Sequence, residues 1–177
     1  MGRENEIVAY WLIPAEPARS YFSSVIRDLA ERFDAPVFEP HVTIHVTDAR
    51  SESPAGVLAE ALADLKPLHL SVSGIDYSDE FTKTVFVRFR QDETLTRLNE
   101  KLRSASTVRW GYRLNPHLSL IYKKIPHEAR VQITSSLNLP FGEVCFDIVK
   151  AVISPAKMEA RGDVEAWRTV AEQKLIG

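Results

Sequence analysis

Hydrophobic positions along the chain switch repeatedly between a period of two and a period of three to four, which predicts alternating strands and helices. Ile7 to Ile13 is a β-branched and aromatic run stopped by Pro14, and it reads as a first strand. From Ala18 to Phe33, the residues Tyr21, Phe22, Val25, Ile26, Leu29 and Phe33 recur at the spacing of an amphipathic helix. His41 to Thr47 alternates again, with Val42, Ile44 and Val46 on one face of a strand and His41, Thr43 and His45 on the other. Ser53 as N-cap and Pro54 at the first helical position open a second helix, which Leu58, Leu62 and Leu65 carry to about Leu65.

Leu68 to Tyr77 and Thr84 to Arg90 read as two strands, and the polar loop between them, Ser78 to Lys83, is long enough to reach over a neighbouring site as a lid. Asp92 caps a third helix that runs through Ser104 with Leu95, Leu98 and Leu102 on its apolar side. In the next strand Leu118, Leu120 and Tyr122 alternate with His117, Ser119 and Ile121, and Pro126 to Leu137 reads as another helix. Glu143 to Ile153 is apolar on both faces, the pattern of a central strand. Val164 to Leu175 fits two descriptions, a helix through Val164, Trp167, Val170 and Ala171 or a terminal edge strand.

With 177 residues, 45% of them hydrophobic, and no Pro-, Gly- or Ser-rich linker, the chain is expected to form a single domain over residues 1–177. The balance of 22 basic against 24 acidic residues excludes a global positive field for a long nucleic-acid backbone, while leaving local basic residues for one or two phosphates. The single cysteine, Cys145, lies among Val144, Phe146 and Ile148 and reads as a small core hydrophobe. No apolar run approaches the roughly 20 residues of a membrane span, and the start MGRENEIVAYWLIP lacks the pattern of a secretory leader. A cytoplasmic protein with no membrane partner is expected.

The organising feature is a duplication: Pro40-His41-Val42-Thr43-Ile44 returns as Pro116-His117-Leu118-Ser119-Leu120. Positions i and i+2 of a strand share a face, so Thr43 stands about 7 Å from His41, and Ser119 about 7 Å from His117, while the aliphatic residues between them anchor the core side. Two such strands facing one another bring two imidazoles and two hydroxyls to one small group, and a phosphate fits that set. Opening a cyclic phosphodiester needs a base for the attacking water, an acid for the departing sugar oxygen and donors to the remaining oxygens. Histidine serves either proton role near neutrality, and Thr43 and Ser119 supply donors, so no metal and no cofactor are required.

His45 stands four residues after His41, the spacing of a zinc pair on a helix, but in a strand the two are about 13 Å apart, so metal binding is not expected and His45 reads as a groove-edge or exposed residue. His69 and His127 read as surface residues. Trp11 is opposite in face to Tyr10 and Leu12, which leaves it free to stack on a base. Arg88 and Arg90 read as a solvated strand face, Lys83 and Thr84 as candidate lid contacts, and Tyr122, on the Leu118 face, as core.

The two motifs, together with Tyr10-Trp11-Leu12-Ile13-Pro14, Phe38-Glu39-Pro40-His41 and His117-Leu118-Ser119-Leu120-Ile121-Tyr122, resemble the two-histidine (2H) phosphoesterase superfamily, and within it the cyclic phosphodiesterase branch more than the RNA-ligase-like branch. The resemblance spans essentially the whole chain. It implies an α+β, bilobal, LigT-like fold: pseudo-two-fold duplicated antiparallel sheets around a central groove with helices outside. It implies metal-independent hydrolysis of nucleoside 2',3'-cyclic phosphates or ADP-ribose 1'',2''-cyclic phosphate, with His41 and His117 catalytic, Thr43 and Ser119 holding phosphate, and Trp11 and Tyr122 flanking base or phosphate. Plant members carry cysteines for redox-linked disulfides; with Cys145 alone, such regulation is not expected.

The function expected is therefore cyclic phosphodiester hydrolysis on a small nucleotide by a monomer. The rivals are an RNA-end 2',3'-cyclic phosphodiesterase or 2'-5' RNA ligase-like enzyme, a non-catalytic nucleotide-binding module, and a metallohydrolase.

Overall fold

The computed structural model describes residues 6–49, 53–106 and 111–176; the first residues of the segment read above for a leader lie outside them. Among the described residues seven strands and five helices follow one another: β1 (Glu6–Pro14), α1 (Ala18–Phe33), β2 (Val42–Asp48), α2 (Pro54–Ala61), β3 (Leu68–Tyr77), β4 (Val85–Phe89), α3 (Glu93–Ala105), β5 (His117–Ile121), α4 (His127–Ser136), β6 (Glu143–Pro155), α5 (Arg161–Glu165) and β7 (Arg168–Lys174). All strand pairings are antiparallel.

The local signals act where the pattern places them. Asp92 Oδ1 accepts from Leu95 N–H at 2.8 Å to start α3, and Ser53 Oγ accepts from Gly56 N–H at 3.4 Å to start α2. α1 buries Ala18, Phe22, Ile26, Leu29 and Ala30; a helix of this length draws its stability from that packed face. α2 stops at Ala61, short of Leu65. Leu65 N–H bonds to the Leu62 carbonyl instead of continuing the helical ladder, and Pro67 disfavours helical backbone at Lys66. The tail resolves into the one-turn helix α5 and the strand β7, which pairs with β6.

β6 is the spine. Its first residues, Glu143 to Phe146, pair with β3, and the remainder pairs with β1 and β7. The strands then fall into two four-stranded halves that share β6, ordered β2-β1-β6-β7 and β5-β4-β3-β6. Among the described residues the halves meet a second time through one pair only, Val42 of β2 opposite Leu118 of β5. α1 packs against β5 and α3 against β2, so each half's helix covers the other half's motif strand. Val42, Ile44, Leu118 and Leu120 are all fully buried beneath them. This is an α+β, bilobal arrangement with helices outside.

One irregularity redirects a side chain. Tyr10 pairs with His45 but the next residue, Trp11, pairs with Thr43, which leaves Ile44 as an extra residue, a β-bulge. Past the bulge the alternation inverts, so Val46 joins Trp11 on the groove side and His45 turns inward to 1% exposure. The expected groove-edge or exposed His45 is thus corrected: its Nε2 lies 3.4 Å from Ser106 Oγ, and its ring packs near Tyr10 and Tyr112. Two side chains satisfy the carbonyls at the irregularity, Asn99 Nδ2 donating to Ile44 O at 2.7 Å and Tyr112 Oη to Thr43 O at 2.9 Å. Leaving such a carbonyl without its donor costs about 1–3 kcal/mol. Asn99→Ala is expected to lose that much in denaturant unfolding, whereas exposed Glu100→Ala stays within about 0.5 kcal/mol of the parent.

Candidate active site

The duplicated motifs converge where the halves touch. Val42 and Leu118 pair directly, so their chain neighbours, His41 and Thr43 on one side and His117 and Ser119 on the other, lie at the junction of the halves. Each histidine is oriented in the same way: His41 Nδ1 bonds the Glu39 carbonyl at 2.7 Å, and His117 Nδ1 bonds the Asn115 carbonyl at 2.7 Å. A carbonyl only accepts, so the proton sits on Nδ1 in both rings and Nε2 is the nitrogen left for reaction.

The duplication extends one strand outward. Trp11 of β1 lies opposite Thr43, and Phe86 of β4 lies opposite Ser119. Trp11 stacks on His41 with ring centroids 3.7 Å apart and planes 13° from parallel, while Phe86 meets His117 edge-on at 5.5 Å. Trp11 is 5% exposed, so the free face expected for a base is replaced by a contact with the imidazole. Its other neighbours, Ala9, Ile13, Val152, Val46, Ile148 and Trp167, make an apolar floor separate from the main core.

Around His41 the setting is densely aromatic. Tyr122 Oη lies 3.5 Å from His41 Nε2, and Phe38 and Trp167 approach the ring edge-on at 6.2 and 5.5 Å. Tyr122 belongs to the core as its alternation predicted, yet it also reaches the site because it lies just past the end of β5. Alternation does not single out Phe86, although its place 31 residues before His117 matches Trp11's place 30 residues before His41. Trp167 has no such signal. It sits in the turn between α5 and β7, where its Nε1 donates to Ser154 Oγ at 3.1 Å.

The hydroxyls are not equivalent. Ser119 Oγ donates to the Thr82 carbonyl at 2.6 Å, so its proton is engaged by the segment predicted as a lid. That segment contains a 3-10 turn at Phe81–Lys83 and is closed on itself by Ser78 Oγ to Lys83 O at 2.6 Å and by Thr84 Oγ1 to Glu80 O at 3.1 Å. Thr84 is buried by these bonds, whereas Lys83 is half-buried and paired with Glu80 at 3.1 Å. His69 and His127 are exposed, as expected of surface residues; His69 pairs with Glu143. Arg88 and Arg90 are exposed as well.

Burial dominates the electrostatics. It drives the His41 pKa down to about 4 against the pull of the Glu39 carbonyl and carboxylate, and His117 adds to the lowering. His117 is lowered too, first by burial and then by Lys83, while the Asn115 carbonyl and Glu80 oppose the shift. Burial pushes the Tyr122 phenol up to about 12. Among the described residues no group of three or more His, Cys, Asp or Glu side chains is placed to hold a metal ion. Cys145 is partly buried, and burial raises its thiol pKa.

Comparison with known proteins gives this geometry its context. Residues 7–175 match the model of a family described as cyclic phosphodiesterase-like protein. The chain is 22% identical to the cyclic phosphodiesterase of Arabidopsis thaliana over 172 residues, covering 95% of this chain and 94% of that one. Its fold is similar to E. coli LigT complexed with 3'-AMP, with a TM-score of 0.62 at 14% identity and coverage of 98% and 100%. It is similar also to a protein of Thermus thermophilus, with a TM-score of 0.61 at 19% identity and coverage of 96% and 97%. With a family match over nearly its whole length and both histidine motifs converging on one groove, the chain belongs to the cyclic phosphodiesterase-like family of two-histidine phosphoesterases.

Proposed function

We propose that this phosphodiester-hydrolysing enzyme opens a small cyclic phosphodiester, a nucleoside 2',3'-cyclic phosphate or ADP-ribose 1'',2''-cyclic phosphate, to a monoester without a metal. The observation that carries the reading is the pair of imidazoles, each with Nδ1–H bonded to the carbonyl two residues earlier, so that both Nε2 atoms are left for proton transfer. His41, held low and therefore neutral at pH 7, takes a proton from the attacking water. As the new P–O bond forms and the ring P–O bond breaks, protonated His117 gives its proton to the departing sugar oxygen. Thr43 donates to a non-bridging oxygen, and Ser119 does so once it turns from the Thr82 carbonyl. The partly exposed Val46, Ile148 and Trp167, which pack over the buried Trp11, suit the nucleoside, with Tyr122 beside the phosphate. The lone Cys145 fits a reducing, cytoplasmic setting.

Turnover of a cyclic mononucleotide against an oligonucleotide ending in a 2',3'-cyclic phosphate tests the substrate class. The expected result is kcat/KM favouring the mononucleotide and unchanged by EDTA. A strong preference for the oligomer assigns the enzyme to RNA ends, and loss of activity with chelator makes it a metallohydrolase.

A further inference from the structure

His41 is held by a short strap, Glu39-Pro40-His41, whose first carbonyl takes the imidazole Nδ1–H. The side chain of that same Glu39 is itself clamped. Arg19 of α1 donates to its Oε1 at 2.6 Å, and Lys150 of β6 donates to its Oε1 and Oε2 at 3.0 and 2.8 Å. The Lys150 side chain is only 13% exposed and also reaches Glu172 of β7 at 3.4 Å. Across the β1–β6 ladder Lys150 lies opposite Trp11, whose ring stacks on His41. The residue whose carbonyl fixes the imidazole at Nδ1 is bound by this cation, and the residue whose indole covers its face is the cation's partner in the strand ladder. The strap of His117 is tied to β4 by the Phe89 N–H to the Pro116 carbonyl at 3.0 Å but lacks the ion-pair clamp: Asn115 is exposed, and among the described residues no ion pair or side-chain hydrogen bond holds its side chain.

We propose that Lys150 is a positioning residue which, through Glu39, locks the orientation of His41 and makes it the fixed member of the histidine pair, with His117 the adjustable one. The inference rests on the acid/base reading given above. A proton is passed over a few tenths of an ångström, and a misplacement of about 1 Å costs up to roughly 10²-fold in rate. A backbone carbonyl orients a ring only as well as its own residue is held, and Glu39 is held by cations from two different elements. The ionisable groups facing His41 are His117, Glu39 and Tyr122; those facing Glu39 from behind are Arg19, Lys150 and, through Lys150, Glu172.

The test uses the full chain with Lys150→Met, Lys150→Arg and Glu39→Gln. Lys150→Met is expected to lower kcat on a cyclic mononucleotide at least about tenfold with KM within about twofold, and Lys150→Arg to restore most of it. The acid limb of kcat/KM moves down in pH in Glu39→Gln, which loses the carboxylate that opposes the lowering of the His41 pKa; a merely structural role leaves it in place. NMR exchange of the Nδ1–H protons gives a readout free of turnover: the His41 proton exchanges at least about tenfold faster in Lys150→Met while that of His117 is unchanged. Should Lys150→Met fail to fold, Glu39→Gln carries the kcat and exchange measurements. Unchanged kcat and unchanged His41 exchange, or a fall in Tm alone, overturns the proposal. If the parent enzyme hydrolyses no cyclic phosphate, the acid/base reading fails, and the exchange measurement still decides whether Lys150 holds His41.

Discussion

Replacing either His41 or His117 by alanine is expected to lower kcat/KM on a cyclic mononucleotide by about 10²–10⁴-fold, the range that a positioned acid or base contributes. The double replacement is expected to lose little more than the worse single one. Proton acceptance and proton donation belong to one transition state, and residues acting as a unit are strongly non-additive. Substrate-analogue binding should change far less than turnover, because Thr43 and the apolar floor persist. Two variants that leave turnover intact would show that neither imidazole is the acid or the base. Losses that simply multiply in the double variant would mean that the two imidazoles act in separate steps.

Acidification is expected to remove about 3 kcal/mol of folding stability between pH 7 and pH 4 through His41 alone. Its pKa is 6.5 when unfolded and about 4 when folded, and the group is buried, so little of the effect is screened. The sign follows from proton counting. Between those two pH values the unfolded chain binds a proton that the native state refuses, so stability is full above about 6.5 and falls as pH drops toward 4. Comparing denaturant unfolding of the parent and His41→Gln at both pH values isolates this contribution from that of the carboxylates, and equal acid sensitivity in the two would show that His41 is not buried neutral. The same groups shape activity. With His117 also lowered, kcat/KM in the free enzyme should be bell-shaped with its maximum on the acid side of 6.5. The alkaline limb of kcat should lie higher, because a bound anionic phosphate favours imidazolium.

Much of this architecture is legible in short-range pattern. The α1 stripe begins at Ala18 and ends at Phe33, and Asp92 and Ser53-Pro54 cap the helices they announce, because caps and amphipathic spacing are local properties. The duplicated histidine motif is legible for the same reason, and so is the placement of both motifs on strands. What periodicity misses is anything that breaks a period or bridges distant segments. A bulge at Ile44 inverts the alternation that placed His45 in the groove, and it announces itself through no glycine or proline. Trp167 reaches the site from a turn, where no period operates. Glu39, Arg19 and Lys150 meet from a loop, a helix and a strand far apart in the chain, so their ion pairs follow only from the register of β1 on β6.

The single rung that joins β2 to β5 among the described residues means that the two motif strands part company almost at once, which ordinarily leaves bare strand margins able to recruit an extended segment from another copy. Here Asn99 and Tyr112 occupy two consecutive carbonyls of β2 with side chains instead of a strand. That stretch of strand margin is thereby capped without offering a template for chain-to-chain pairing. Asn99→Ala thus exposes a sticky seam as well as removing a hydrogen bond.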